Sequence, residues 1–527
     1  MSSNAHTDQE SATNATDDVF DVCVIGGGVN GAGVARDAAG RGLSVVLLEK
    51  DDLAQGTSSR SGKLVHGGLR YLEYYEFRLV REALIEREVL LESAPHIIWP
   101  MRFVLPHSKE DRPAWLVRLG LFLYDHLGGR KKLPATRVLN LQDAPEGTSL
   151  KSQYKKAFEY SDCWVDDARL VLLNALDAAE RGADIRTRTR CNSARRKNGL
   201  WNITSEDVTT GVQSQVTARC IINAAGPWVN NVINTCSAVS SKRKVRLVKG
   251  SHIVVNKFWE GEQAYLVQNF DKRVIFINPY EQGKALIGTT DIPFDGNADD
   301  VCIDQSEIDY LLTAVNRYFE KPLTHDDVLH SFSGVRPLYD DNSDNPSAVT
   351  RDYLFDVDAD DNSAPLLSVF GGKITTFRKL AEHALDKLQP FFPDMTAPWT
   401  SGAPLPGGDI PDADFNRFVH SLQQRYPDLP ANVVLHFARL YGSRAPIVLG
   451  SAQTTAELGV QFSETCFEKE VRYLIEHEWA MTSDDILRRR TKHAVHMSEE
   501  QLHQFNHWLT QDLQTQHAAD RVYDNAS

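Results

Sequence analysis

The first strongly patterned stretch of the chain alternates apolar runs with glycine turns. Residues 20–25 (FDVCVI) form a β-rich run that meets three glycines at 26–28, and residues 29–40 have the Ala- and Val-rich spacing of a helix. A second apolar run, residues 43–48 (LSVVLL), follows the turn at Gly40 to Gly42 and ends at Glu49. Strand, tight turn, helix and strand in about thirty residues predict a βαβ unit.

The later pattern predicts a mixed α/β protein with a helical C-terminal part. Helical spacing of apolar residues indicates helices at 73–93 and 168–180. Apolar, β-rich runs predict the strands 218–223, 251–255, 274–277, 285–287 and 366–370. A Pro- and Gly-rich stretch at 397–408 then precedes a mainly helical region. We therefore expect a leader at 1–19, two interleaved domains over 20–400, a helical domain over 401–515, and a tail over 516–527.

Charge and cysteine content exclude some classes of protein. The chain has 527 residues, with 57 Lys and Arg against 71 Asp and Glu, so its net charge is -14. This acidic balance argues against a general nucleic-acid binder. The seven cysteines are scattered without a C-x-x-C pair, which favours a reducing compartment and predicts no metal site. The leader has no apolar run and no Lys or Arg, so we expect a disordered segment rather than a signal peptide.

The glycines after the first strand form a dinucleotide-binding motif. Gly26, Gly28 and Gly31 stand as G-x-G-x-x-G between the predicted strand and helix. Such glycines allow a pyrophosphate to approach the helix N-terminus, whose free N–H groups attract anions. Glu49, at the end of the next strand, is placed to hold a ribose hydroxyl, and a carboxylate there favours an unphosphorylated ribose.

Two further loops favour FAD over NAD. Residues 56–61 (GTSSRS) follow the second strand and are dense in hydroxyl and backbone donors for a diphosphate. Residues 370–376 (FGGKITT) follow a strand hundreds of residues away, and their glycines allow the backbone to approach a ring closely. A second cofactor loop so far along the chain suits an elongated flavin cofactor.

Several longer motifs carry a resemblance to a known family. They are residues 21–33 (DVCVIGGGVNGAG), 63–71 (KLVHGGLRY), 159–170 (EYSDCWVDDARL), 223–228 (NAAGPW), 249–255 (KGSHIVV), 288–291 (GTTD), 333–338 (SGVRPL), 350–353 (TRDY), 367–376 (LSVFGGKITT) and 478–492 (EWAMTSDDILRRRTK). The chain resembles FAD-dependent, quinone-linked glycerol-3-phosphate dehydrogenases of the bacterial aerobic type from about residue 20 to about residue 510. Arg60 and Gly62 depart from the small or hydroxyl residues expected at those positions.

The resemblance implies a fold and a reaction. The fold is α/β (α+β overall), with a Rossmann-type FAD-binding domain, an interleaved β-rich substrate domain and a C-terminal helical domain. The reaction oxidises glycerol 3-phosphate at its central carbon to dihydroxyacetone phosphate, with hydride transfer to FAD and electrons passed to ubiquinone or a related quinone. The predicted cofactor-binding residues are Gly26, Gly28, Gly31, Glu49, Thr57, Ser58, Ser59, Lys63, His66, Gly371, Gly372, Lys373 and Thr375.

A phosphorylated substrate requires fixed cations, for which the planar, permanently charged guanidinium of arginine is well suited. The predicted substrate-binding residues are Arg70, Tyr71, Arg336, Arg351 and Lys373. Of these, Arg336 and Lys373 are also predicted to act in catalysis, Lys373 by stabilising either the phosphate or the negative charge of the reduced flavin.

Removing hydride from a carbinol also requires its hydroxyl proton to leave, so a base with a pKa near neutrality is expected. His252, in Gly250-Ser251-His252, and His66, in Val65-His66-Gly67, are the histidines in glycine-opened backbone. We take His252 as the base and expect His66 to shape the flavin site.

One segment indicates where the protein could lie in the cell. Residues 112–132 (RPAWLVRLGLFLYDHLGGRKK) combine a large apolar content with flanking cations, as in an interfacial helix, although a buried helix with a solvated end has the same pattern. Because quinone lies in the bilayer, we expect a cytoplasmic protein held peripherally on the inner membrane. The sequence does not determine the oligomeric state, and a homodimer is one of the alternatives.

Two other functions fit the sequence less well. An FAD-dependent amine or amino-acid oxidase has the same fold and would pass electrons to oxygen. A flavin-binding scaffold without catalysis would hold FAD that glycerol 3-phosphate cannot reduce.

Overall fold

The structure is a computed structural model that describes residues 19–239, 241–340, 352–359 and 363–524. Its strands are β1 Val19–Ile25, β2 Val45–Leu48, β3 Leu64–Val65, β4 Ile98–His107, β5 Arg137–Asn140, β6 Lys156–Val165, β7 Asp184–Arg186, β8 Thr189–Lys197, β9 Leu200–Asp207, β10 Gln213–Asn223, β11 Val245–Asn256, β12 Ala264–Gln268, β13 Val274–Tyr280, β14 Lys284–Gly288, β15 Ile292–Pro293, β16 Val328–Tyr339, β17 Tyr353–Asp358 and β18 Leu366–Gly371.

The α-helices of the described residues alternate with these strands at first and then follow one another. They are α1 Val29–Gly40, α2 Phe77–Ser93, α3 Ala114–Leu127, α4 Asp167–Glu180, α5 Val229–Thr235, α6 Gln305–Tyr318, α7 Phe377–Leu388, α8 Phe415–Arg425, α9 Ala431–Tyr441, α10 Ala445–Leu449, α11 Glu468–His477 and α12 Glu499–Asp524. A π-helical turn, Asp485–Arg490, lies between α11 and α12.

The first sheet contains the predicted βαβ unit. Its strand order is β17-β18-β10-β1-β2-β7, with β9 on β10 and β8 on β9, and β1 pairs in parallel with both β2 and β10. All four residues of β2 are buried, as expected for a parallel strand covered on both faces. The buried faces of α1, α4 and α7 pack together with β1 and β2 in one hydrophobic core. The predicted Rossmann-type fold is confirmed.

The second sheet is mixed and carries most of the remaining strands. Its order is β15-β11-β14-β13-β12-β4-β6-β3, with β16 on β11 and β5 on β6. Helix α6 begins with a capping box between Asp304 and Glu307, and its apolar face packs against this sheet. Because strands of both sheets alternate along the chain, the two domains are interleaved.

The helical region from Ile410 onward has a hydrophobic core of its own, and buried ion pairs join it to helix α4 and to the loop after β2. Arg169 of α4 donates to both carboxylate oxygens of Glu478, and Asp52 accepts from Arg490 and Arg489. Separating either pair would leave an uncompensated charge in a buried position, which costs free energy. The pairs therefore fix the helical region against α4 and the loop after β2.

Two helices begin or end at residues other than those predicted from the sequence, and two further predictions fall outside the described residues. The helix expected from residue 73 begins at Phe77, because Leu69–Tyr74 forms a 3-10 helix and Tyr75 has a positive φ of 59°. Helix α12 continues to Asp524, past the expected domain end at 515. The leader and Arg351 lie outside the described residues, apart from Val19, which begins β1.

Candidate active site

A cavity of about 700 Å³ is lined by residues of both sheets. The glycine turn after β1 and the loop after β2 form one end of it. Residues of β11, β13, β14 and β16 line the part formed by the second sheet, and helix α3 borders it as well. Motifs that are far apart in the sequence therefore meet around one space.

The glycine turn is built for close backbone approach. Gly26 has a φ of +111°, and a Cβ on Gly31 would lie 1.9 Å from the carbonyl oxygen of Gly26. Glu49 accepts hydrogen bonds from the N–H groups of Gly27 at 2.6 Å and Asp51 at 2.8 Å. Burial raises the pKa of Glu49 to about 7. Gly26, Gly28 and Glu49 line the cavity, whereas Gly31 supports the turn from behind.

The loop after β2 lies against the glycine turn. Ser58 Oγ accepts from the N–H of Val29 at 3.0 Å, and Thr57 Oγ1 donates to the carbonyl of Val335 at 2.6 Å. Both residues line the cavity, as predicted for cofactor-binding positions. Their contacts tie the first turn of α1 and the strand that carries Arg336 to the same loop.

Lys63 and Ser59, also predicted to bind the cofactor, do not line the cavity. The ammonium of Lys63 forms a buried ion pair with Asp167 at 2.6 Å and donates to the carbonyl of Ser59 at 3.2 Å. Asp167 begins α4, so this pair fixes the loop from beneath. The sequence showed Lys63 in a cofactor motif but could not show that a carboxylate more than a hundred residues away binds it.

The distal glycine loop reaches the same cavity. Gly371 and Gly372 have φ values of +78° and +99°, and the Nδ2 group of Asn30 donates to the carbonyl of Gly371 at 3.4 Å. The ammonium of Lys373 lies 3.8 Å from the centre of the Tyr71 ring, a cation–π contact. Thr375 exchanges two hydrogen bonds with the backbone of His66.

The guanidinium of Arg336 is held in a fixed orientation at the cavity wall. Its Nη1 lies 2.7 Å from Asp291 Oδ1, and its Nη2 donates to Thr289 Oγ1 at 2.8 Å. Arg70, whose Nη2 lies 3.4 Å from the Tyr74 hydroxyl, and Lys373 line the same cavity. Three of the four predicted phosphate-binding cations are thus brought together, and Arg351 lies outside the described residues.

His252 is buried and His66 is half-buried, and both have a lowered pKa. The His252 ring stacks on Phe332 with centroids 4.9 Å apart, and its Nδ1 has no hydrogen-bond partner in the described part of the chain. Burial, assisted by the positive charges of Arg336 and Lys63, lowers the pKa of His252 to about 3. Burial and the positive charge of Lys373 lower the pKa of His66 to about 3 as well. Both values are below the near-neutral pKa that was expected for a base.

Some cavity residues were not singled out from the sequence. Asn30, Trp228, Arg273, Asn278 and Asp291 line the cavity, and the amide oxygens of Asn30 and Asn278 are buried without a hydrogen-bond partner in the described residues. Trp228 and Asp291 belong to motifs that carry the resemblance. No local signal marks Asn278, because its exposure to the cavity depends on the pairing of β13.

A hydrogen-bonded cluster lies away from the cavity, in the helical domain. Glu470 accepts from the Tyr441 hydroxyl at 2.9 Å, and its carboxylate lies 2.7 Å from His436 Nε2 and 3.2 Å from His493 Nε2. The nearby imidazoles hold the pKa of Glu470 well below its usual range despite its burial. These groups bind one another and join α9, α11 and the segment before α12.

The fold, the glycine turn and the distal loop define an FAD-dependent oxidoreductase. The two glycine loops leave room for close approach of an extended cofactor, and the unpartnered Asn30 oxygen is a polar group available to it, so the residues present fit FAD. The chain matches the family model described as FAD dependent oxidoreductase over residues 21–378. It also matches the C-terminal domain of alpha-glycerophosphate oxidase over residues 399–510.

Curated relatives and a solved structure narrow this class. The chain is 65% identical to D-erythritol 1-phosphate dehydrogenase of Brucella abortus (strain 2308), covering 94% of this chain and 98% of that one. It is 51% identical to aerobic glycerol-3-phosphate dehydrogenase of Escherichia coli (strain K12), with the same coverage. The structure of the glycerol-3-phosphate dehydrogenase from Bacillus halodurans complexed with FAD aligns with a TM-score of 0.74 and 28% identity, covering 94% and 91% of the two chains. The chain belongs to the family of FAD-dependent glycerol-3-phosphate dehydrogenases.

Proposed function

We propose that the protein oxidises a secondary alcohol of a phosphorylated polyol. The first candidate substrate is sn-glycerol 3-phosphate, which would give dihydroxyacetone phosphate. The observation that carries the proposal is the convergence of Arg70, Arg336 and Lys373 on the cavity whose other end is the glycine turn. When bound, FAD supplies the hydride acceptor.

Arg336 is suited to binding the phosphate or a developing alkoxide. Its fork is already oriented by Asp291 and Thr289, so little side-chain freedom is lost when an anion binds. Lys373 adds a second positive charge, and the Tyr71 ring beneath its ammonium limits where that charge can lie. Together these groups place the anionic end of the substrate and leave its carbinol free for the base.

His252 is proposed to accept the hydroxyl proton. Its low pKa keeps the imidazole neutral, and the residue lines the cavity, so a neutral ring with a free lone pair can serve as the base. Its low pKa reflects burial beside two cations. A bound phosphate dianion would counter those cations, because a nearby opposite charge favours the imidazolium, and would raise the pKa toward neutrality.

D-Erythritol 1-phosphate is a second candidate substrate. The 65% identity to a relative of that name exceeds the 51% identity to the aerobic glycerol-3-phosphate dehydrogenase, at equal coverage. Both substrates present a phosphate and a secondary alcohol, so the same cations and the same base would serve either. Glycerol 3-phosphate is the smaller by one carbinol group.

Membrane quinone is the proposed electron acceptor, reached through helix α3. Trp115, Leu119 and Phe122 are 68%, 47% and 57% exposed, and the same helix borders the cavity through Leu116 and Leu123. Arg112, Arg118, Lys131 and Lys132 are exposed around this apolar face. Apolar side chains ringed by cations favour binding at anionic headgroups. In the described part of the chain, no helix has both the length and the apolar character needed to span a bilayer.

The test is anaerobic titration of the purified, FAD-loaded protein with each substrate while flavin absorbance is recorded. Bleaching by glycerol 3-phosphate or D-erythritol 1-phosphate at stoichiometric concentration is expected. The rival oxidase function predicts hydrogen peroxide release with glycine-type substrates instead. Flavin that neither phosphate reduces would overturn the proposal.

A further inference from the structure

Asn278 is a buried polar residue in the wall of the cavity. It lies on β13, is 1% exposed and lines the cavity. Its Nδ2 group donates to the carbonyl of Gly62 at 3.3 Å. Its Oδ1 atom has no hydrogen-bond partner in the described part of the chain. Half of this amide therefore has a structural role, and the other half is left for a ligand.

No described neighbour donates a hydrogen bond to Asn278 Oδ1. On the same face of the sheet lie Phe276 and Tyr280 of β13 and Leu286, which pairs with Asn278 on β14. Leu64 and Leu266 also line this part of the cavity. An amide oxygen left unpaired in a buried apolar wall costs free energy, and a hydroxyl of a bound ligand would remove that cost.

Asn278 and His252 face the same space. His252 pairs with Gly288, which pairs with Phe276, two residues before Asn278 on β13. A Cβ on Gly62, whose carbonyl accepts from Asn278, would lie 3.6 Å from His252 Nε2. The strands and this loop thus bring the side chains of Asn278 and His252, each with one unpartnered polar atom in the described residues, to one region of the cavity wall.

We propose that Asn278 is a specificity-determining residue whose amide oxygen accepts a hydrogen bond from the additional hydroxyl of a four-carbon polyol phosphate, the hydroxyl that glycerol 3-phosphate lacks. The inference rests on the proposed function, in which His252 takes the proton of the reacting carbinol. A four-carbon polyol phosphate has one more hydroxyl than glycerol 3-phosphate. Asn278 therefore favours the longer substrate.

The experiment compares single-turnover flavin reduction by D-erythritol 1-phosphate and glycerol 3-phosphate in the FAD-loaded wild type and in Asn278→Leu. We expect the ratio of reduction rate to dissociation constant to fall about 10- to 100-fold for D-erythritol 1-phosphate, the size of one lost hydrogen bond to a buried acceptor, and less than about 3-fold for glycerol 3-phosphate. Asn278→Thr retains an oxygen acceptor and is expected to recover part of the loss.

Asn174 provides a matched control. It is also 1% exposed, donates through Nδ2 to the carbonyl of Leu170 at 2.7 Å, and has an unpartnered Oδ1, but it lies on α4 away from the cavity. Asn174→Leu should leave the ratio of the two substrates unchanged. FAD content is measured in every variant.

Several results would overturn the inference. Equal losses for both substrates would indicate a structural role through Gly62, and a loss of FAD would indicate that Asn278 binds a ribityl hydroxyl of the cofactor. Unchanged kinetics, or a wild type reduced by glycerol 3-phosphate alone, would also overturn it and leave the proposed function intact. If neither substrate reduces the wild-type flavin, the proposed function fails and this inference fails with it.

Discussion

The backbone N–H of His66 donates to Thr375 Oγ1 at 3.2 Å, and the Thr375 hydroxyl donates to the His66 carbonyl at 3.3 Å, although the two residues are 309 positions apart. One side chain thus joins the loop that follows β3 to the distal glycine loop. Both loops line the cavity, so their separation sets part of its shape.

Replacing Thr375 by Val should lower FAD content and stability, because both hydrogen bonds are lost with little change in volume. The loss is about 1 to 3 kcal/mol in the free energy of unfolding. Thr376 is a matched control, since its buried hydroxyl has no hydrogen-bond partner in the described residues and Thr376→Val removes none. Flavin absorbance per protein and denaturant unfolding measure the two effects. Equal behaviour of the two variants would contradict this role for Thr375.

Gly31→Ala should abolish FAD binding. Its Cβ would lie 1.9 Å from the Gly26 carbonyl oxygen, so α1 or the glycine turn must move. Gly28→Val should act differently, by filling the space where a pyrophosphate approaches the helix. Gly402→Ala is the control, because its Cβ meets nothing within 4 Å. Folded Gly31→Ala and Gly28→Val proteins with full flavin content would rule out the cofactor site assigned here.

Arg336→Lys should lower kcat/KM about 30- to 1000-fold, or about 2 to 4 kcal/mol, because lysine cannot reproduce the fork that Asp291 and Thr289 orient. His252→Ala should slow flavin reduction and change its pH profile while FAD is retained. Stopped-flow reduction at varied pH and substrate concentration measures both. Arg488→Lys, at an exposed ion pair, is the control. Wild-type rates in both site variants would refute the catalytic assignment.

Substituting Trp115, Leu119 and Phe122 by Ser should move the protein from the membrane fraction to the supernatant, since these side chains form the exposed apolar face of α3. Ile447→Ser changes a 60% exposed apolar side chain in the helical domain and should leave the share of protein in the membrane fraction unchanged. Sedimentation with vesicles of anionic and neutral lipid gives the measurement. A wild type that stays in the supernatant with anionic vesicles would refute membrane binding.

His96 should make stability depend on pH. Burial lowers its pKa to about 3, so the unfolded chain binds its proton more readily. Its contribution to stability is present above pH 6.5 and is lost as the pH falls toward 3, by about 1.4 kcal/mol at pH 5.5. His96→Gln should therefore show a smaller drop in Tm between pH 7.5 and 5.5 than the wild type. His477→Gln, at a half-exposed side chain, should match the wild-type drop. An unchanged drop in His96→Gln would show that His96 does not contribute.

Local patterns determined much of the first sheet and its glycine turn. The apolar runs ending at Ile25 and Leu48 became parallel strands, and the intervening helix spans Val29–Gly40 as expected. The sequence alone predicts these elements because each depends on a local pattern: a run of apolar residues for a buried strand, glycines for a tight turn, and helical spacing of apolar residues for a helix. The motifs that carry the resemblance also identified the family and its cofactor.

Other features were decided only by the tertiary structure. Lys63 binds Asp167, Arg336 is oriented by Asp291, and Asn278 reaches the cavity because β13 pairs with β14. The pKa of His252 is low because residues from distant strands bury it beside two cations. Burial, charge proximity and hydrogen-bond satisfaction depend on which segments meet in space, and the sequence near each residue does not contain that information.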